Sequence, residues 1–331
     1  MSKTAINISL KSQLNDTSFS PNHVYLNFNG KDVNHIILNT IRRTILEDIP
    51  CYGFNVKNIS ISKNSSVYNN DYMRNRIENF PIFSVDAGLN LEEYNTLRKY
   101  TRGRKLDVEQ VNEEEEEEEE ESDVTIYCKV SNSDELIKSV TSEDMEFYLK
   151  GKKVKSYFPN PILLIKLKKD EEFEFSAKSD KGIAMNHSRY STVGMCCYEM
   201  NKDNDFTLKV EPRGQINMVD IFDRAFEIIK YRLNLIMTKV MKTKFTNDNH
   251  GKIVLNNEDH TYGTVLAKGL QEHKNIEFAG YRMDHLLIRD VTIEYVTNGG
   301  KSINEILKEV ITDFIKTFEN IQSQISKIKL K

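Results

Sequence analysis

The chain has 331 residues and a formal charge of −4, enough length for a sizeable core and no overall basic field of the kind that draws nucleic acid. The run Glu113–Glu121 accounts for that sign, and outside it the balance is about +5, with lysines spread along the chain. No stretch approaches the roughly 18 apolar residues of a membrane span, no apolar leader follows Met1, and Cys51, Cys128, Cys196 and Cys197 show no C-x-x-C spacing. An intracellular protein without a disulfide framework or cysteine-type zinc site is therefore expected, in which the Asn-X-Ser triplets at Asn58 and Asn64 are inert.

Residues 6–28 read as two extended stretches, of which Val24–Phe28 is the clearer. Asp32 offers an N-cap, and Val33, Ile37, Ile41 and Ile45 then recur on one helix face until Pro50 stops the helix. Arg42 and Arg43 fall near its C-terminal end, where cations suit the dipole, and the stripe turns Arg43 nearly away from the core. A strand over Phe54–Ser62 and a short helix over Asp71–Glu78 follow. From Leu89 to Asp123 the chain is charged and loses periodicity. Its like charges repel with nothing to bury, so a disordered acidic loop is expected at about 100–123. Strands resume at 124–130, 162–167, 173–177 and 196–200, with a small basic patch at Lys152, Lys153 and Lys155.

The third part is a repeat. Asp205-Phe206-Thr207-Leu208 aligns with Asp290-Val291-Thr292-Ile293, and Gly214 with Gly299. Met218, Ile221, Phe222, Ala225, Ile229, Leu233 and Ile236 then fall without a gap on Ile303, Ile306, Leu307, Val310, Phe314, Phe318 and Ile321. Each copy reads as an extended segment, a glycine turn and a long amphipathic helix, capped by Asn217 or by the Ser302–Glu305 capping box. Between them lie a strand at 252–255, a helix at about 260–272 and a strand pair within 276–296. The first copy has the same order if Val24–Phe28, the helix after Asp32 and the strand Phe54–Ile61 belong to it, which makes about 57–200 an insertion. Each copy alone exposes its apolar helix stripe, so the fold class is α+β, with two like modules docked as a pseudo-two-fold pair.

Catalytic patterns are absent. Asn298-Gly299-Gly300-Lys301-Ser302 looks like the end of a phosphate-binding loop, but the first glycine of that pattern is Tyr295 here, which favours a glycine turn feeding a capped helix. No His-Glu-x-x-His or Gly-x-Ser-x-Gly occurs, and His35, His187, His260 and His285 stand singly, as caps or surface residues do.

Asn39-Thr40-Ile41-Arg42-Arg43-Thr44-Ile45-Leu46-Glu47-Asp48-Ile49-Pro50 resembles the helix signature of the RNA polymerase alpha-type assembly subunits. Asn64 to Arg76, ending Phe80-Pro81-Ile82, is similar to that family's next block, and 166–169 with 177–184 to its downstream insert segment. Glu258-Asp259-His260-Thr261-Tyr262-Gly263-Thr264, with Phe278-Ala279-Gly280-Tyr281-Arg282 and His285, resembles the small partner subunit, eleventh in eukaryotic polymerase II and L in archaea. The first 245 residues or so resemble the third-largest eukaryotic subunit, or archaeal D, so the whole resembles the fused form in large nucleocytoplasmic DNA viruses. Two departures are Asn75, where the family often has His, and Thr264, where it usually has Asn.

The resemblance implies two alpha-type dimerisation modules forming an intramolecular pseudo-heterodimer. Residues 1–56 and 201–245 would make the first, with 57–200 as its insert domain, and 246–331 the second. Met218, Ile221, Phe222, Ile229, Ile303, Ile306, Leu307 and Phe314 would form the intramolecular interface. It implies a non-catalytic assembly subunit of a DNA-directed RNA polymerase, whose nucleotidyl transfer belongs to its partners. Those would be the two largest subunits and a small assembly subunit, met through Asn39, Arg42, Arg43 and Arg76, with DNA reached only through the complex and no homo-oligomer. No cofactor is implied. The cysteine cluster that many members use for metal is missing between Cys51 and Cys128, so no metal is expected either. The compartment would be the host cytoplasm and virion for a viral chain, otherwise the nucleus. A free-standing nucleic-acid-binding or regulatory module of the same fold is the alternative, and steep salt dependence of binding by the isolated chain would mark it.

Overall fold

A computed structural model describes residues 5–14, 23–82, 85–99, 124–155, 160–243, 245, 249–285 and 289–330. The expected acidic loop lies outside the described residues.

Strands β1 (Asn7–Leu14) and β2 (His23–Asn29) pair antiparallel and lead into α1 (His35–Glu47). Asn34, not Asp32, caps that helix: its Oδ1 accepts from the amides of Ile36 and Ile37, both at 3.0 Å. Asp32 is spent instead on the amide of Ala5 at 2.6 Å. Next come β3 (Cys51–Asn64), α2 (Asn70–Glu78), α3 (Leu91–Lys99), β4 (Val124–Ser131), β5 (Lys138–Thr141), β6 (Met145–Leu149), β7 (Lys152–Val154), β8 (Leu163–Leu167) and β9 (Glu172–Gly182). Strands β10 (Val193–Lys202) and β11 (Asp205–Pro212) lead into the long helix α4 (Met218–Lys242). The remainder is β12 (His250–Asn256), α5 (His260–Glu272), β13 (Ile276–Arg282), β14 (Asp290–Thr297) and α6 (Ile303–Ile325).

The duplication is real at the level of register. Sheet β1-β2-β11-β10 places Asn29 opposite Asp205 and Leu26 opposite Leu208, while sheet β12-β14-β13 places Asn256 opposite Asp290 and Ile253 opposite Ile293. Helices α1 and α5 both span 13 residues and follow the equivalent strand. One continuous core joins the two copies, running from Val24, Leu26 and Phe28 through α1, α4 and α5 to Ile321 and Ile325 of α6. The long helices form because their apolar residues recur at 3.6 spacing, and each is capped as its sequence suggests. Asn217 accepts from the amide of Asp220, and Ser302 and Glu305 form a reciprocal capping box. Gly299 and Gly300 have φ of +83° and +89°, so the Asn298–Ser302 stretch is a left-handed glycine turn into that cap.

A second core occupies a five-stranded sheet of order β3-β9-β4-β6-β7 and a two-stranded one, β5-β8, covered by α2. Here the structure departs from the expected strand assignment. The segment Phe54–Ile61 is part of β3, which pairs with β9 from Cys51 opposite Gly182 to Asn64 opposite Phe173. Phe54 and Ile59 are buried in this second core, and the third strand of the first module is β10. Alternation shows that a strand has one buried face, not which sheet it joins. Sheet membership changes at Cys51 and again at Val193, earlier than the expected borders. The loss of periodicity expected from Leu89 onwards also fails over Leu91–Lys99, which is the helix α3. Tyr94 anchors it at 1% exposure, and Arg98 is buried beside it at 5% by ion pairing, which an apolar pattern does not register. No helix among the described residues is long and apolar enough to cross a membrane.

Candidate functional site

The seam between the modules is built from α4 against α6 and α1 against α5. Met218, Ile221, Phe222, Ile229, Ile303, Ile306 and Leu307 are all buried in the shared core. Phe314 is half-buried and packs with Val310 over Gly269 of α5. A Cβ at Gly269 would stand 2.4 Å from Val310 Cγ1 and 2.6 Å from Phe314 Cε2, so the two helices approach as closely as glycine permits. At the end of the seam, Asn304 of α6 donates to the carbonyls of Val240 and Thr243, at 3.1 and 3.2 Å, closing the last turn of α4.

Within this apolar seam lies a buried cluster of charge that periodicity alone did not reveal. Arg232 of α4, 3% exposed, pairs with Asp48 Oδ2 at 3.4 Å and with Glu258, and its guanidinium lies 3.9 Å from the ring centre of Tyr262. Arg98 of α3 reaches Asp48 at 3.7 Å and Glu258 at 3.9 Å, and donates to the carbonyl of Asn257 at 2.8 Å. Arg43 of α1 bonds Glu47 at 3.0 Å and Asp259 at 3.4 Å. Burial favours a neutral Asp259, yet Arg232, Arg43 and Arg98 outweigh it and hold the carboxyl at about 2. Burial likewise works against the Arg232 cation, and Glu258 foremost keeps its pKa above the ordinary arginine value. The sequence did hold one signal: Arg232 sits on the apolar stripe of α4, between Ile228, Ile229 and Ile236. A charge at a core position needs a buried partner.

The duplication makes the cluster one-sided. Arg43–Glu47 has a twin in Lys268–Glu272 at the same place on α5, each pair at 3.0 Å. The other members have none. The positions matching Glu258 and Asp259 are Val33 and Asn34, and Arg232 matches Thr317 in the repeat.

The residues expected to meet partners are distributed. Asn39 and Arg42 form a unit on α1, with Asn39 Oδ1 accepting from Arg42 Nε and Nη2 at 3.0 and 2.9 Å. Arg43 does not point away; it is half-buried and bridges the modules. Arg76 lies on α2 in the second body and donates to the carbonyl of Leu163 at 3.0 Å, so it belongs to a different surface from Asn39 and Arg42. Burial pushes the thiols of Cys51, Cys128 and Cys196 up to about 12, leaving none of them a thiolate. Among the described residues no group of three or more His, Cys, Asp or Glu is placed to hold a metal ion.

Comparison with known proteins agrees with this architecture. Residues 250–324, from β12 to the last turn of α6, match the RNA polymerase Rpb3/Rpb11 dimerisation domain. A protein of Acanthamoeba polyphaga mimivirus, provisionally named a DNA-directed RNA polymerase subunit, is 30% identical over 321 residues, covering 90% of this chain and 89% of its own length. The DNA-directed RNA polymerase subunit Rpo11 of Methanocaldococcus jannaschii is 29% identical over 99 residues, 28% of this chain and 97% of its own. The polymerase II subunit rpb11 of Dictyostelium discoideum is 31% identical over 87 residues, 26% of this chain and 71% of its own. With two modules of matching register docked in one core, a relative that covers 90% of the chain and a family match over the second module, the chain belongs to the alpha-type subunits of DNA-directed RNA polymerase, as a fusion of the two dimerisation partners.

Proposed function

We propose that the chain is a non-catalytic assembly platform of a multisubunit RNA polymerase, presenting a ready-made dimer to the two largest subunits and a small assembly subunit. One observation carries this reading: the paired modules share a single core, so the dimer exists before any other subunit arrives. Joining the partners replaces a bimolecular step by an intramolecular one, at an effective concentration on the order of mM. The half-buried Asn39–Arg42 pair of α1 is the proposed contact for a large subunit, because Asn39 holds the guanidinium in a fixed orientation in which its remaining donors can pair bidentately with a carboxylate. Arg76 marks a second contact on the insert, which takes in the strands from β3 to β9. Arg43 is assigned mainly to the seam. Catalysis and DNA contact belong to the partners, inside the cell, in the host cytoplasm and virion if the source is viral.

The test is Arg42→Glu in the full chain. The variant should keep its thermal midpoint and monomeric state yet lose co-purification with the large subunits; normal assembly would remove α1 from the contact. Arg43→Ala is expected to lower stability as well, which distinguishes the two arginines.

A further inference from the structure

The two modules share a fold but not a sheet width. In the first, β1 runs antiparallel along the outer edge of β2, from Asn7 opposite Asn29 to Leu14 opposite His23. The second stops at β12, whose outer edge pairs with no strand among the described residues. Yet β2 and β12 are the same strand of the repeat, in the same register with β11 and β14. Both bury alternate residues under the helices: Val24, Leu26 and Phe28 in one, Ile253 and Leu255 in the other. The intervening residues differ. Tyr25 and Asn27 are half-buried beside β1, whereas Lys252, Val254 and Asn256 are exposed, Val254 at 56%.

An open edge presents a row of unpaired N–H and C=O groups, and proteins usually blunt it with proline, a bulge or charged side chains, lysine above all. Strand β12 has no proline, its ladder with β14 runs unbroken from His250 to Asn256, and its one lysine, Lys252, is held by Glu294 at 3.0 Å. The first module supplies the template for what fits. There, Ile6 and Ile8 of the added segment face the core, and Gln324 of the opposing long helix grips its backbone, donating to Ile6 O at 2.8 Å and accepting from Ile8 N at 3.0 Å. The repeat puts Lys239 of α4 where α6 has Gln324, and Lys239 already reaches the carbonyl of Asn256 at the end of β12, at 3.5 Å.

We propose that the outer edge of β12 takes up an extended segment of another polymerase subunit as an antiparallel fourth strand, in the place that β1 holds beside β2. The segment has alternate apolar residues on its helix side and a carboxylate level with Lys239, where the first module uses an amide. Main-chain hydrogen bonds supply its affinity, and the Lys239 end sets its register.

This rests on the polymerase reading, and the experiment separates the two. The full chain carrying a photo-crosslinking residue at Val254 is purified alone and within the assembled polymerase, and amide exchange is compared. In the complex, the β12 amides should exchange at least about tenfold more slowly, with β2 slow in both samples. The Val254 crosslink should land on an extended segment of another subunit, and Lys239→Glu should lower its yield. A chain that assembles with unprotected β12 amides, or whose crosslink falls within the chain itself, overturns this inference and leaves the assembly reading standing. A chain that does not assemble overturns both.

Discussion

Replacing Arg232 by methionine keeps an unbranched, though shorter, side chain and removes the charge, its hydrogen bonds and its contact with the Tyr262 ring. In the wild-type chain that guanidinium neutralises Asp48 and Glu258, which are 3% and 6% exposed and so have no water to fall back on. Removing one partner of a buried pair typically costs ~3–5 kcal/mol, because the remaining charge is left uncompensated. Arg98 stays within 3.7 Å of Asp48 and 3.9 Å of Glu258, so the lower end, about 3 kcal/mol, is expected. Urea unfolding at pH 7 measures it, with amide exchange in β4 and β9 as an internal control, since those strands lie in the second core. The companion variant adds Glu258→Gln, which removes the stranded charge and should recover about half of the loss despite being a second substitution. A cost below about 1 kcal/mol for Arg232→Met, or simple additivity in the double variant, would refute the idea that these charges are coupled.

Acid should act through the same cluster. The Asp259 carboxyl sits at about 2 rather than its ordinary 3.8, so its contribution of about 2 kcal/mol is present above pH 4 and is lost as pH falls towards 2. Asp259→Asn, which still caps α5, should flatten the urea midpoint over that window, and an unchanged pH profile would count against the assignment. Where α5 meets α6, Gly269→Ala should cost ~1–3 kcal/mol by overpacking against Val310 and Phe314. Val310→Ala in the same chain should return part of that loss, which urea unfolding of the single and double variants would show.

The parts that were legible in the sequence are those where burial has a period. The two long helices, their caps and the strands that precede them follow from stripes that water rejects, and every matched position except Phe314 is buried. Phe314 shows the limit: it matches Ile229 in the stripe, yet it is only half-buried, because it lies at the border of α5 rather than under it. The assignment of Phe54–Ile61 failed for a different reason. Strand pairing between Cys51 and Gly182 is a long-range choice, and local alternation is the same in either sheet. Helix α3 and the charged seam were hidden because a buried arginine reads as a surface residue until its carboxylates are placed around it. Arg98, Arg232, Asp48 and Glu258 come from four separate segments, and only the folded chain brings them together.

The shared core also sets a schedule for synthesis. Strand β11 must return across the whole second body to pair with β2, so the first module closes only once α4 is about to be made. Its long apolar stripe then waits for α6, which ends at Ile325, about 80 residues further along. At ribosomal rates of ~5–20 residues per second, that leaves roughly 4–16 s in which the face of α4 that meets α6 is made and uncovered. A fusion that guarantees one copy of each partner therefore also guarantees a sticky nascent intermediate, and a chaperone that binds apolar helices would find its substrate in that interval.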